Sequence, residues 1–247
     1  MPTRTSSVLE AASDLEDRVR AVISQHGLIP RAAAVVVAVS GGLDSMVLLH
    51  VLAKLAPAQE WRIFVAHFNH LLRGKESELD EGLVASRARE LGLPFERGQG
   101  DVRGHAKANG ISIEMAAREL RYRFLAEVAR RNSARFIALG HHADDQVETV
   151  ILRLFRGSGG EGLGGMRLSS PLWVDSSICL VRLLLHLSRK IIREYARNQR
   201  ISYRDDTTNE SIDIERNWVR HKLLPLLERR VHPTVRDLVL RTAELIG

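Results

Sequence analysis

Apolar and polar positions along this chain switch repeatedly between a helical and an extended period. Residues 8–26 repeat apolar positions at helical spacing and stop at Gly27, with Pro30 just beyond. The unbroken apolar run 32–39, "AAAVVVAV", suits a strand buried on both faces. A helix follows over 44–55, then a strand over 62–68, a helix over 77–91, a strand over 94–99, a helix over 112–131, a strand over 135–140 and a helix over 143–155. This alternation predicts an α/β fold: an open, mostly parallel sheet with helices on both faces. Right-handed crossovers would then gather the strands' carboxyl ends, and any ligand, along one edge.

After Arg156 the texture changes. "RGSGGEGLGG" reads as a mobile glycine-rich loop, followed by short strand-like pieces up to Leu185, a helix over 188–199 and the polar stretch "RDDTTNESID". Basic helices over 216–229 and 233–245 close the chain. The expected organisation is an N-terminal helix in 1–31, a main domain in 32–215 and a small basic helical extension in 216–247, cut from a longer protein.

Composition narrows the function classes. Cys179 is the sole cysteine, which removes disulfide frameworks and cysteine-rich metal sites. The amino terminus lacks the apolar stretch of a signal peptide, and no run approaches a membrane span, so a cytoplasmic protein with no membrane contact is expected. The net charge is +6, carried by 31 arginines and 5 lysines. Such a balance admits a polyanionic partner, and the arginine clustering in the last third leans towards nucleic acid.

The chemistry starts at Ser40-Gly41-Gly42-Leu43-Asp44-Ser45, set between a buried strand and a helix. Glycines there let backbone N–H groups approach an anion, and the helix start adds partial positive charge. No lysine follows at the usual NTPase spacing, and a bare carboxylate beside phosphates would repel them. Asp44 is therefore expected to hold Mg²⁺ against phosphate oxygens; the simpler alternative makes it a helix cap. Gly157 to Gly162 also fits G-x-G-x-x-G, but it follows a helix instead of a strand and is rejected as a dinucleotide site.

Three further stretches carry candidates. In "GHHADDQVETVILRLFRGSG" (140–159), His141 and Asp145 should reach the sheet's carboxyl edge. Val147, Val150, Ile151 and Leu154 form the core stripe of that helix, with Asp145 and Glu148 turned away towards a common ligand. Asp145 is the candidate second Mg²⁺ ligand, assisted by Glu148, unless the acids merely offset the helix dipole. In "EMAARELRYRF" (114–124), Glu114, Arg118 and Arg121 share a stripe beside the apolar Ala117, Leu120 and Phe124. Those arginines suit a departing pyrophosphate, or else an ordinary Glu–Arg pair. In "HFNHLLRG" (67–74), His67, Asn69, His70 and Arg73 could touch a base or ribose.

Taken in order, "SGGLDS", "HFNHLLRG", "EMAARELRYRF", "GHHADDQVETVILRLFRGSG" and "DDTTNES…ERNWVRHKLLPLL" resemble the tRNA(Ile)-lysidine synthases, members of the N-type ATP pyrophosphatases with an adenine nucleotide alpha hydrolase-like fold. The resemblance covers about residues 33 to 228. It implies ATP and Mg²⁺ as cofactors, with Ser40, Gly41, Gly42, Leu43, Asp44 and Ser45 at the nucleotide and Asp44 and Asp145 on the metal. Arg121 would steady the leaving group, and His141 and Glu148 would orient substrates or recognise lysine. Implied partners are an isoleucine tRNA with a CAU anticodon and L-lysine, with Arg216 and Arg220 either tRNA contacts or members of an amphipathic packing helix; oligomeric state, including a homodimer, stays open. Two departures stand out: Leu183 where the family has proline, and Tyr203 where tryptophan is usual. The rival readings are a tRNA thiolation enzyme, which one cysteine serves poorly, another adenylating enzyme, and a nucleotide sensor without catalysis.

Overall fold

A computed structural model describes residues 4–204 and 214–246, with side chains from Leu15 onward and from Glu215. The polar stretch 205–213, part of the sequence resemblance, lies outside the described residues. The elements run α1 (Arg4–His26), β1 (Ala34–Ala38), α2 (Leu43–Gln59), β2 (Arg62–Asn69), α3 (Lys75–Glu90), β3 (Phe95–Gln99), α4 (Val102–Asn109), α5 (Ile113–Arg131) and β4 (Phe136–Ala138). They continue with α6 (Ala143–Phe155), α7 (Gly160–Leu163), β5 (Ser169–Leu172), β6 (Asp175–Val181) and α8 (Arg189–Asn198). The last helices are α9, in which Ile214–Trp218 and Leu224–Arg230 flank a π-helical stretch Val219–Leu223, and α10 (Val235–Ile246).

The six strands lie in the order β3-β2-β1-β4-β6-β5, parallel except for the β5–β6 hairpin. From β1 the chain builds outward to β2 and β3, then crosses back to β4 on the other side. Strand order therefore reverses between β1 and β4, and the crevice at their carboxyl ends is where such sheets bind ligands. The valines of β1 are buried on both faces, as the continuous apolar run requires.

Two cores cover the sheet. On one face, Leu15, Val19 and Ile23 of α1 pack with α2 and with Ile192 and Tyr195 of α8, so the N-terminal helix shares the main core. On the other, Tyr122, Leu125, Val128 and Ala129 of α5 cover β1 and β4. Leu183 fills the first core fully buried, and Tyr203 packs at its margin. α9 and α10 attach separately, through Val219 and Leu224 against Val147 and Ile151 of α6.

Three expectations need correction. Leu154 leaves the core stripe and is 57% exposed, because it lies in the last turn of α6, beyond the Val147 and Ile151 patch that Val219 and Leu224 cover. Residues 102–109, unassigned from the sequence, form α4, started by the Asp101 carboxylate accepting from Gly104 N–H. The glycine-rich stretch is tethered: Arg153 donates to Gly162 O and Gly165 O, and the Gln146 side chain bonds Gly164 O and both backbone groups of Met166.

Candidate active site

The phosphate loop sits at the tip of β1. Gly41 has φ +94°, a left-handed conformation that glycine adopts without strain. Ser45 Oγ accepts from Ser40 N–H at 3.1 Å and bonds Gly42 O at 3.0 Å, which closes the loop on itself. Gly42 caps α2 with no side-chain hydrogen bond, so the first N–H groups of a 17-residue helix open to the crevice. Leu43 contributes its backbone here, since its side chain is buried in the core. Gly140, at the tip of β4, permits close approach: a Cβ there would lie 3.1 Å from Ser45 N.

The neighbouring tip brings the second acid. Asp44 Oδ2 lies 3.6 Å from His142 Nε2, and Asp145 Oδ2 lies 3.4 Å from the same nitrogen. Both carboxylates thus converge on one point between β1 and β4. Asp145 Oδ2 also accepts from His142 N–H at 3.0 Å, so the same residue caps α6. Burial pushes the Asp44 carboxyl up, only partly offset by His142 and Arg189, and nearby Asp145 raises it further. Burial acts likewise on Asp145, but His142, Arg216 and His141 outweigh it and hold that carboxyl below its ordinary value.

These residues fit a magnesium ion. Asp44 Oδ1 is buried without a hydrogen-bond partner, a costly state that a cation would relieve. Among the described residues no group of three or more His, Cys, Asp or Glu is placed to hold a metal. Two carboxylates completed by phosphate oxygens and water match the habit of Mg²⁺, which is seldom caged by protein alone. His142, between the acids, escaped the sequence reading, which singled out its neighbour.

His141 lies within electrostatic reach of both Asp145 and Arg121. Burial drives the His141 imidazole to a low pKa; Asp145 opposes this, while Arg182, Arg121 and Arg216 add to it, so the ring is neutral. The Arg121 and Arg118 guanidinium carbons lie 5.2 and 4.8 Å from the centroid of the Tyr122 ring. On α5 the apolar stripe is Tyr122, Leu125, Val128 and Ala129, with Phe124 as expected but Ala117 and Leu120 only half-buried against α4. Glu114 stands exposed in the first turn.

Glu148, expected to turn from the core stripe towards a ligand shared with Asp145, is fully buried against arginines instead. Its oxygens accept from Arg216 Nε at 2.9 Å and from Arg220 Nε and Nη at 2.6 and 2.9 Å. Arg220 also reaches Asp145 Oδ1 at 3.3 Å. Of the two readings of Arg216 and Arg220, packing is the one this geometry shows, since both fasten α9 to α6. Of the β2 group, His67 is buried with Nδ1 2.8 Å from Val39 O, and Asn69 bonds Glu81 and Leu71 N–H. Arg73 pairs with Asp80 at 2.7 Å. Burial, then Arg121, depress His70 to about 4.

Comparison with known proteins identifies the family. The PP-loop domain family matches residues 11–227. The tRNA(Ile)-lysidine synthase of Geobacillus kaustophilus is 39% identical over 94% of this chain and 49% of its own length. That of Chlorobaculum tepidum is 40% identical over 89% and 64%, and that of Petrotoga mobilis 35% over 94% and 72%. The chain thus spans between 49% and 72% of these relatives' length. Among solved structures, a U34-tRNA thiolase from Methanococcus maripaludis superposes with TM-score 0.78 at 17% identity, covering 96% of this chain and 80% of that one. An NH3-dependent NAD synthetase from Campylobacter jejuni gives 0.51 at 11%, covering 96% and 93%. These two show a shared fold. On the family match and the sequence identities, the chain belongs to the tRNA(Ile)-lysidine synthase family of PP-loop proteins.

Proposed function

We propose that this protein uses ATP to join L-lysine to C2 of the wobble cytidine in the CAU anticodon of an isoleucine tRNA. The C2 oxygen of the base attacks the α-phosphorus, forming an adenylated tRNA and releasing pyrophosphate. The ε-amine of lysine, once deprotonated, then displaces AMP at C2. Acting on tRNA, the protein works in the cytoplasm; no helix among the described residues is long and apolar enough to cross a membrane.

The observation that carries this reading is the convergence of Asp44 and Asp145 where the phosphate loop opens. Asp44 and Asp145 would hold Mg²⁺, which when bound neutralises the triphosphate. The N–H groups of the loop and of the α2 start orient the phosphates. Arg121, close to His141, would steady the charge that grows on pyrophosphate. A neutral His141 offers the bound base or amine a hydrogen-bond partner without adding charge. The thiolase likeness favours no sulfur chemistry in this chain. Cys179 is its sole cysteine, and burial pushes that thiol's pKa up, away from the reactive thiolate.

Release of AMP and repeated turnover should require ATP, Mg²⁺, lysine and an isoleucine tRNA bearing CAU together, whereas without lysine the adenylation step alone should release no more than one pyrophosphate per tRNA. AMP made regardless of tRNA would indicate a different adenylating enzyme. Bound but unspent ATP under all conditions would indicate a nucleotide sensor.

A further inference from the structure

One charged cluster beside the phosphate loop has no part in the chemistry just described. Asp80 of α3 is buried, and its two oxygens are taken separately: Oδ2 accepts from Arg73 at 2.7 Å and Oδ1 from Arg204 Nε at 2.6 Å. Arg204 also bonds Glu76. The backbone N–H of Arg204 donates to Gly41 O at 3.0 Å, inside the phosphate loop. The Asp80 backbone and Cβ sit directly behind Gly41: a Cβ on that glycine would lie 3.4 Å from Asp80 Cβ and 3.5 Å from Asp80 O.

This arrangement controls where the loop's donors point. In a trans peptide the C=O and the following N–H face opposite ways. Holding Gly41 O on Arg204 therefore aims Gly42 N–H to the other side, where its present partner is a long 3.3 Å contact with Ser40 Oγ. A weakly satisfied donor of this kind is available to a phosphate oxygen. Arg204 keeps that backbone position because its guanidinium is pinned on Asp80 and Glu76. Without the Asp80 charge, Arg204 would keep only the exposed Glu76 as a partner and lose the buried anchor that holds its N–H on the loop.

We propose that Asp80 is a positioning residue for ATP, acting through Arg204 on the Gly41–Gly42 peptide; this rests on reading the loop as an ATP site. Asp80 touches no substrate in this role.

The test uses the whole chain with Asp80→Asn, Arg204→Gln and the double variant, comparing Mg-ATP affinity by calorimetry with the kinetics of pyrophosphate release. Each single variant should raise Kd and KM for ATP about tenfold, with kcat at saturating ATP and KM for lysine within about twofold. The double variant should be no worse than the poorer single one, because both break the same link. Unchanged ATP affinity with kcat falling in step with the folded fraction would overturn the proposal and leave Asp80 a staple of α3. Should Asp80→Asn not fold, Arg204→Gln, at a part-exposed side chain, decides: wild-type ATP affinity there overturns the proposal. Calorimetry needs no tRNA, so these outcomes remain readable even where wild-type protein makes no pyrophosphate with tRNA and lysine, which would refute the proposed reaction instead.

Discussion

Replacing Glu148 with glutamine should loosen the C-terminal helices measurably. The wild-type carboxylate is 0% exposed and accepts three charge-assisted hydrogen bonds from Arg216 and Arg220. An amide keeps one acceptor and turns an N–H donor towards a guanidinium, which has no acceptor to offer. Breaking a fully buried ion pair costs about 3–5 kcal/mol. Here the arginine side chains remain 31% and 26% exposed, so water can return to them and the cost drops just below that range, to about 2–3 kcal/mol. For a chain of 247 residues that corresponds to a fall in Tm of about 4–12 °C. Calorimetric melting at pH 7 measures this, and amide hydrogen exchange should quicken first in α9, which Glu148 fastens to α6. A Tm within about 2 °C of wild type, with unchanged exchange in α9, would refute the assignment and leave Glu148 free for a ligand ammonium.

Asp44→Asn should combine lost activity with kept or improved stability. Its carboxyl is raised by burial, so at pH 7 its charge opposes folding, and removing that charge should leave Tm level or slightly higher while pyrophosphate release falls about a hundredfold or more. A drop in Tm of several degrees would instead make Asp44 a structural cap. His50, buried against Arg87 and depressed to about 4, stays neutral when folded while the unfolded chain protonates near 6.5. Stability contributed by its neutral form is complete above about pH 6.5 and lost as pH falls towards 4, by up to about 3 kcal/mol. His50→Gln should flatten the Tm–pH slope in that window, and an unchanged slope would contradict this. Gly98→Ala would place a Cβ 2.4 Å from the Phe124 ring, so a loss of about 1–3 kcal/mol is expected in a denaturant melt, and wild-type stability would show that the ring can move.

The sheet was legible because its signals are local. The valine run of β1 and the glycine–serine break after it sit within a dozen residues, and the parallel alternation then places the tips of β1 and β4 together. That is why Asp44 and Asp145, 101 positions apart, could be brought to one edge from sequence alone. His142 was missed because adjacent residues on an extended segment face opposite sides, and nothing in "GHHADD" says which imidazole turns inward. Glu148 was misread for a different reason. Helical periodicity placed it off the α6 core stripe, but its burial comes from arginines 68 and 72 residues away. The Asp80–Arg204 link spans 124 residues and left no local pattern at all. Tethering of the glycine-rich loop likewise depends on Arg153 and Gln146 of α6, whose side chains could as well have faced water.

The account stands most directly on where a divalent cation binds when nucleotide is present. A crystal grown with Mn²⁺ and a non-hydrolysable ATP analogue would locate it by anomalous scattering. The expected peak lies between Asp44 and Asp145, about 2.2 Å from an oxygen of each and from a phosphate oxygen. A metal bound elsewhere on the triphosphate, with both carboxylates still gathered around His142, would contradict the central claim.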